Sequence, residues 1–333
     1  MAAHPRSPTA LHVAFLGCGF ITAVHSRHLA RLPGEFVCSY ASRDLTRAEE
    51  YRHRFGGLRA YDGYAAALAD PSVDAVVVAV PPRWHLDLTL EALRAGKHVL
   101  VEKPAFLLRS DYARVRKARD EAGVVVAVGE NDHYKPLAAT LRGLLADGVI
   151  GELVLAQFTT VAHRPKPADD WRNDEAMAGG DAFFEEGVHW LHLAGSLGPR
   201  ITRIEAFRPA PAARPLAGDA RRKSMLVAFE YDTGAAGAIH YSREVPSLLR
   251  GVRWSKLYGR EGVITFESNG GVVFAPGRRL PRVITPGLAD IRGYRAMYRD
   301  FARAIRTGDG PEMDLDRAEA DHALMEQVGE RHG

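Results

Sequence analysis

The first 130 residues alternate between short apolar runs and stretches of helical spacing, and that alternation restricts them to a parallel sheet covered by helices. The apolar runs lie at about 11–16, 36–41, 75–80, 98–101 and 124–128, and the helical patterns at about 21–31, 44–55, 84–95 and 109–121. Beyond about residue 152 the pattern changes. Runs at 152–161, 202–208, 223–231, 235–243, 252–258, 262–267 and 271–274 follow one another across short turns, which indicates a mostly antiparallel sheet. One helix at about 181–197 interrupts them, and helices at about 291–306 and 315–328 close the chain. The predicted boundary therefore falls near residue 130, giving domains 1–130 and 131–333, with the last helix packing back on the first domain. The Pro/Ala-rich stretch 208–219 reads as a loop or hairpin connection.

A length of 333 residues accommodates two domains, each with its own core. The net charge of +3 is mild, and the arginines are scattered rather than set in an aromatic-interleaved stripe, so nucleic acid is not an expected partner. Cys18 and Cys38 fall in or beside the first two strands and read as buried thiols of a reducing compartment. The first ten residues contain no apolar signal region, and no run approaches the roughly 18 apolar residues of a membrane span. A cytoplasmic location is the expectation.

Three segments of the first domain carry chemistry. The strand Leu11–Leu16 feeds Gly17-Cys18-Gly19-Phe20-Ile21 and then a helix, the arrangement whose first amides face a dinucleotide's pyrophosphate. The third glycine position of that turn holds Thr22. At the end of the second strand, Ser42 and Arg43, with Arg47 one turn on, could hold a ribose 2'-phosphate, which favours NADP(H) over NAD(H). The plainer alternative has Ser42 and Asp44 capping the helix with the arginines solvated. Pro81 and Pro82 fix the exit of the next strand and shape a wall beside a flat ring, with His85 following at a helix start. The segment Lys97-His-Val-Leu-Val-Glu102-Lys103-Pro104 is a buried strand ending in a charged pair. Lys103 therefore stands at the carboxyl edge of the sheet, where open α/β folds bind ligands.

In the second domain the dense region runs from Trp171-Arg172 through Gly179-Gly180-Asp181 to Glu185, His189 and His192. Glu185 and His189 share a helix face, so the carboxylate can orient the imidazole as a general base. A core histidine satisfied by its helix neighbour is the structural alternative. Glu185, His189 and His192 also have offsets suited to metal ligands, but no fourth ligand is evident, and Gly187 weakens the helix by up to about 1 kcal/mol.

Taken together these residues resemble the Gfo/Idh/MocA family, which includes glucose-fructose oxidoreductase and inositol dehydrogenases. The resemblance covers nearly the whole chain. It rests on Gly17-x-Gly19-x-Ile21, Ala41-Ser-Arg43, Pro81-Pro82-x-x-His85, Ala95 to Pro104, Trp171-Arg172, Gly179-Gly180 and Gly187-x-His189. It implies an N-terminal Rossmann domain followed by an α/β domain with an open, largely antiparallel sheet, assembled as a homodimer or homotetramer. It also implies that Lys103 touches a reacting hydroxyl, His189 accepts its proton and hydride passes to the nicotinamide. Glu102 would position Lys103 or the cofactor, and Trp171 with Arg172 would border nicotinamide and substrate. The chain departs from the family pattern at Asp181 (usually glycine), Glu185 (usually aspartate), His192 (commonly aspartate) and His133 (often arginine).

The expected function is an NAD(P)-dependent oxidoreductase acting on a secondary alcohol or ketone of a sugar, cyclitol or related polyol. Its alternatives are an enzyme that cleaves glycosides or inverts a centre with a tightly held nicotinamide, a metal-assisted site at Glu185, His189 and His192, and a dinucleotide-sensing regulator. The joint presence of Lys103 and His189 argues against the last, since a sensor needs neither.

Overall fold

A computed structural model describes residues 10–164, 166–167, 170–209, 223–246, 251–277 and 280–330. The chain divides into two compact units, residues 1–130 with 294–319, and residues 131–293 with 320–333.

The first unit runs β1 (Leu11–Leu16), α1 (Phe20–Leu29), β2 (Phe36–Ser42), α2 (Leu45–Phe55), β3 (Ala60–Asp62), α3 (Tyr64–Ala69), β4 (Ala75–Val78), α4 (His85–Arg94), β5 (His98–Val101), α5 (Ser110–Ala122) and β6 (Val126–Val128). Its six strands are parallel in the order β3-β2-β1-β4-β5-β6. β4 is built only of fully buried Ala75, Val76, Val77 and Val78, because a central parallel strand is covered on both faces. Local chemistry sets the helix ends. Asp44 caps α2 by accepting from the Thr46 amide at 2.9 Å, and Gly56 stops it in the left-handed region at φ 68°. Strand order reverses between β1 and β4, which puts the ligand crevice of such a sheet at their carboxyl ends.

The second unit contains α6 (Pro136–Ala146), β7 (Leu153–Val161), α7 (Glu175–Ala178), α8 (Ala182–Gly195), β8 (Ile201–Phe207), β9 (Ser224–Tyr231), β10 (Ala236–Ser242), β11 (Trp254–Gly259), β12 (Gly262–Glu267), β13 (Val273–Ala275) and β14 (Arg282–Ile284). Its sheet has the order β14-β13-β12-β11-β7-β10-β9-β8 and is antiparallel except where β7 pairs with β10. The side chains alternate. Ala156 and Phe158 of β7, Ile239, Leu257 and Ile264 face the core with Leu141 of α6 and Leu191 of α8, while Leu155, Phe207, Trp254 and Val263 are exposed.

Of the closing helices, α9 (Tyr294–Thr307) and the start of α10 (Leu315–Glu330) belong to the first unit and the remainder of α10 to the second. The division at 130 is thus a chain crossing rather than the end of the first unit, and a single domain over 131–333 is corrected. The α/β class and the change to a mostly antiparallel sheet are as expected. The elements β3, α3, α6, α7 and β14 were not anticipated. Residues 210–219 of the expected connection lie outside the described residues. Among the described residues no helix is long and apolar enough to cross a membrane.

Candidate functional site

In the first unit the turn after β1 is built to be thin. Gly17 has φ 111°, and a Cβ there would lie 2.7 Å from the Ala79 carbonyl oxygen at the exit of β4. Thr22, standing where a third glycine was expected, donates its hydroxyl to the Gly17 carbonyl at 2.7 Å and so closes the turn from within. Gly19 precedes α1 with no side-chain cap, no acidic residue follows in the first turn, and a Cβ on Gly19 would meet nothing within 4 Å. Uncapped amides with open space beyond them fit a pyrophosphate. Phe20 is 70% exposed at the helix start, and Ile21 is half-buried.

α2 braces this turn from the side. Arg47 donates Nε–H to the Cys18 carbonyl at 2.7 Å and Tyr51 its hydroxyl to the Gly19 carbonyl at 3.0 Å. Arg47, expected at a 2'-phosphate, is therefore engaged in holding the turn. The Ser42 hydroxyl accepts from the Asp44 amide at 3.2 Å, and Asp44 caps α2, so the capping alternative describes these two residues. Arg43 remains an exposed cation at the carboxyl end of β2.

Pro81 precedes and Pro82 opens a 3-10 turn over Pro82–Trp84. His85 does not face a ligand, and its assignment to the cofactor is corrected. It is 1% exposed, with Nε2 at 2.8 Å from the Val80 carbonyl and Nδ1 at 3.0 Å from that of Pro104. The ring buckles the loop after β4 to the loop after β5. Burial pushes its pKa below the ordinary value, against the pull of those carbonyls.

β5 delivers the charged pair. Lys103 is half-buried at the carboxyl edge of the sheet, and a cis peptide bond joins it to Pro104. Glu102 turns inward at 6% exposure, its Oε1 2.7 Å from His25 Nε2, and His25 Nδ1 lies 2.6 Å from the Tyr298 hydroxyl. Glu102 thus heads a buried chain through His25 of α1 to Tyr298 of α9. Nothing in the sequence pointed to His25 or Tyr298, whose partners lie 77 and 273 positions away.

In the second unit Asp181, the departure from glycine, caps α8 by accepting from the Phe184 amide at 2.9 Å. Gly187 has its own reason: a Cβ there would lie 2.5 Å from the Phe183 ring. Trp171 and Arg172 sit in a 3-10 turn with the guanidinium 4.6 Å from the indole centroid. Arg172 reaches Glu185 Oε1 at 3.1 Å, and Arg243 approaches Oε2 at 3.6 Å. The carboxylate expected to orient His189 is thus met by two guanidinium groups in charge-assisted contacts. Asp132 faces His189, Oδ1 lying 3.9 Å from Nδ1. His192 contacts Asp321 through one nitrogen and His133 through the other. Glu185, His189 and His192 thus turn to different partners, which undoes the three-ligand metal reading.

Residues 11–130 match the model of the Gfo/Idh/MocA oxidoreductase family with NAD-binding Rossmann fold, and residues 138–265 match that of the Gfo/Idh/MocA C-terminal domain. The dTDP-3,4-didehydro-2,6-dideoxy-alpha-D-glucose 3-reductase of Actinomadura kijaniata is 35% identical over 58% of this chain and 57% of its own length. This chain thus matches little more than half of that relative. The D-xylose 1-dehydrogenase (NADP(+)) 2 of Haloferax volcanii is 28% identical over 85% of both chains. A solved structure of levoglucosan dehydrogenase with NADH and levoglucosan has a TM-score of 0.82 at 21% identity, covering 97% of this chain and 98% of that one. Its likeness is one of fold.

Proposed function

Because the chain belongs to the Gfo/Idh/MocA oxidoreductase family, we propose that it is an NAD(P)-dependent dehydrogenase or reductase of a secondary alcohol or ketone in a sugar, cyclitol or related polyol. The observation that carries the reading is Lys103, half-buried at the carboxyl edge of β5, in the sheet whose switch point carries the thin Gly17–Gly19 turn. A bound nicotinamide supplies the hydride acceptor in oxidation or the donor in reduction. The turn and the uncapped start of α1 hold the pyrophosphate and Pro81 borders the ring, while in the second unit Trp171 and Arg172 are the residues offered to the substrate. The Lys103 ammonium stabilises negative charge developing on the reacting oxygen. In the second unit His189 is the general base of this reading, with Asp132 Oδ1 3.9 Å from its Nδ1.

NADP(H) is the preferred cofactor in this reading and NAD(H) the second. The support is Arg43, exposed at the carboxyl end of β2, together with Asp44, whose carboxylate is spent on the α2 cap. The proposal extends to a cytoplasmic homodimer or homotetramer. Cys18 and Cys38 are free thiols that burial pushes up to about 12, and Leu155, Phe207, Trp254 and Val263 leave the second sheet partly apolar toward solvent.

The test pairs fluorescence titrations of NADPH and NADH with a nicotinamide-absorbance screen of sugars and polyols that includes D-xylose. NADPH should bind more tightly than NADH. Lys103→Ala should abolish turnover while leaving NADPH affinity within about tenfold, roughly 1.4 kcal/mol. Binding of neither nucleotide, or full turnover by the variant, would sink the reading.

A further inference from the structure

α8 carries two histidines one turn apart, and each faces a different residue of the 3-10 turn Asn131–Tyr134. His189 faces Asp132 at 3.9 Å, while His192 Nε2 lies 3.0 Å from His133 Nδ1. On its other side His192 Nδ1 lies 2.8 Å from Asp321 Oδ2, on the part of α10 that belongs to this unit. His192, His133 and Asp321 are 4%, 5% and 8% exposed. The chemistry proposed above uses none of the three.

The hydrogen bonds have a fixed polarity. An ionised carboxylate only accepts, so the first proton sits on His192 Nδ1. Neutral His192 then offers a lone pair at Nε2, and the second proton belongs to His133 Nδ1. Both rings are thereby held as Nδ1–H tautomers, with their donors running toward Asp321. His133 is bonded in sequence to Asp132, so whatever fixes His133 also fixes the turn on which Asp132 stands. The turn has further ties to the same carboxylate: Asn131 donates to Asp132 Oδ1 at 3.0 Å, and Lys135 Nζ lies 2.6 Å from Oδ2.

We infer that Asp321, His192 and His133 form a positioning relay that holds Asp132 in place against His189. The role for His189 rests on the oxidoreductase reading; the relay itself does not. Two departures from the family pattern, His133 and His192, thus act as a pair, completed by a carboxylate from α10. None of the three is a catalytic residue in this scheme, because each acts on His189 only through the turn.

The experiment is a long-range 1H–15N histidine spectrum of the full chain, recorded without substrate. In the parent protein His192 and His133 should both show Nδ1–H tautomers. Asp321→Asn offers an amide that can donate to His192, so His192 should switch to Nε2–H and His133 with it, and the His189 cross-peaks should move. Asp321→Glu restores an accepting carboxylate and should restore the Nδ1–H pattern, which a merely space-filling role would not require. An Nε2–H form of His192 in the parent would overturn the relay, as would stationary His189 cross-peaks in folded Asp321→Asn. If that variant fails to fold, the parent tautomers decide. None of these readouts depends on nicotinamide turnover, so failure of the relay and failure of the oxidoreductase reading are told apart.

Discussion

Replacing Gly17 and Gly19 with alanine, one at a time, separates the demands of the fold from the room left for a nucleotide. A Cβ on Gly17 would stand 2.7 Å from the Ala79 carbonyl oxygen and 3.0 Å from its carbon, at a φ of +111°. The backbone conformation alone costs an L residue about 1–2 kcal/mol. Because both contacts are to backbone, relief requires shifting a strand end, and forced packing of this kind costs about 1–3 kcal/mol. Together these give a loss of about 2–5 kcal/mol in stability. Gly19 is different: its φ is −108°, and a Cβ would meet nothing within 4 Å. Gly19→Ala should keep stability within about 1 kcal/mol, since a poorer cap is offset by a stiffer unfolded chain. Its methyl group would nevertheless fill the space over the first amides of α1, and NADPH affinity should fall at least about tenfold, roughly 1.4 kcal/mol. Urea denaturation and NADPH fluorescence titration of both variants read the two effects separately. Undiminished NADPH binding by Gly19→Ala would refute the nucleotide placement, and an unchanged urea midpoint for Gly17→Ala would refute the packing argument.

Arg43→Ala should weaken NADPH more than NADH in parallel titrations; an equal loss for both would remove the 2'-phosphate contact. Tyr298→Phe deletes a hydroxyl 2.6 Å from His25 Nδ1 in a fully buried setting, so thermal denaturation should show a loss of about 1–3 kcal/mol. No loss would mean that His25 is satisfied in some other way. The pKa of His85 is depressed in the fold by burial, so the unfolded chain binds its proton more readily. Stability from this group is present above the unfolded value near 6.5 and is lost as pH falls through the lower folded value. The urea midpoint should therefore drop from pH 7 to pH 5, less steeply in His85→Gln, and equal slopes would refute the assignment.

Continuous burial made the first sheet legible: Ala75 to Val78 can hardly be anything but a central strand once helical patterns flank it on both sides. Three-residue strands such as β3 and β14 are too short to show a period, and the neighbours that pair with them create them. The Gly17 turn and Lys103 were readable because a strand end and a special backbone leave a local mark. Glu185 shows what spacing leaves open. Helical spacing says which side chains share a face, but not which of several partners wins, and Arg243 arrives from beyond β10. Asp321 and Tyr298 lay out of reach of pattern reading, since their partners stand 129 and 273 positions away.

The membership of the last two helices bears on how the nascent protein matures. Tyr298 completes the buried Glu102–His25 chain in the first unit, and Asp321, Met325 and Val328 complete the relay and the core of the second. β7, placed early in its sheet's sequence, has as neighbours β10 and β11, both made much later. During synthesis one of its edges stays unpaired until about residue 242 has emerged and the other until about residue 259, a template for wrong strand pairing. Neither unit can close before the α9–α10 segment, residues 294–330, leaves the ribosome, so a stop codon before residue 294 should yield a chaperone substrate rather than a free-standing nucleotide-binding fragment.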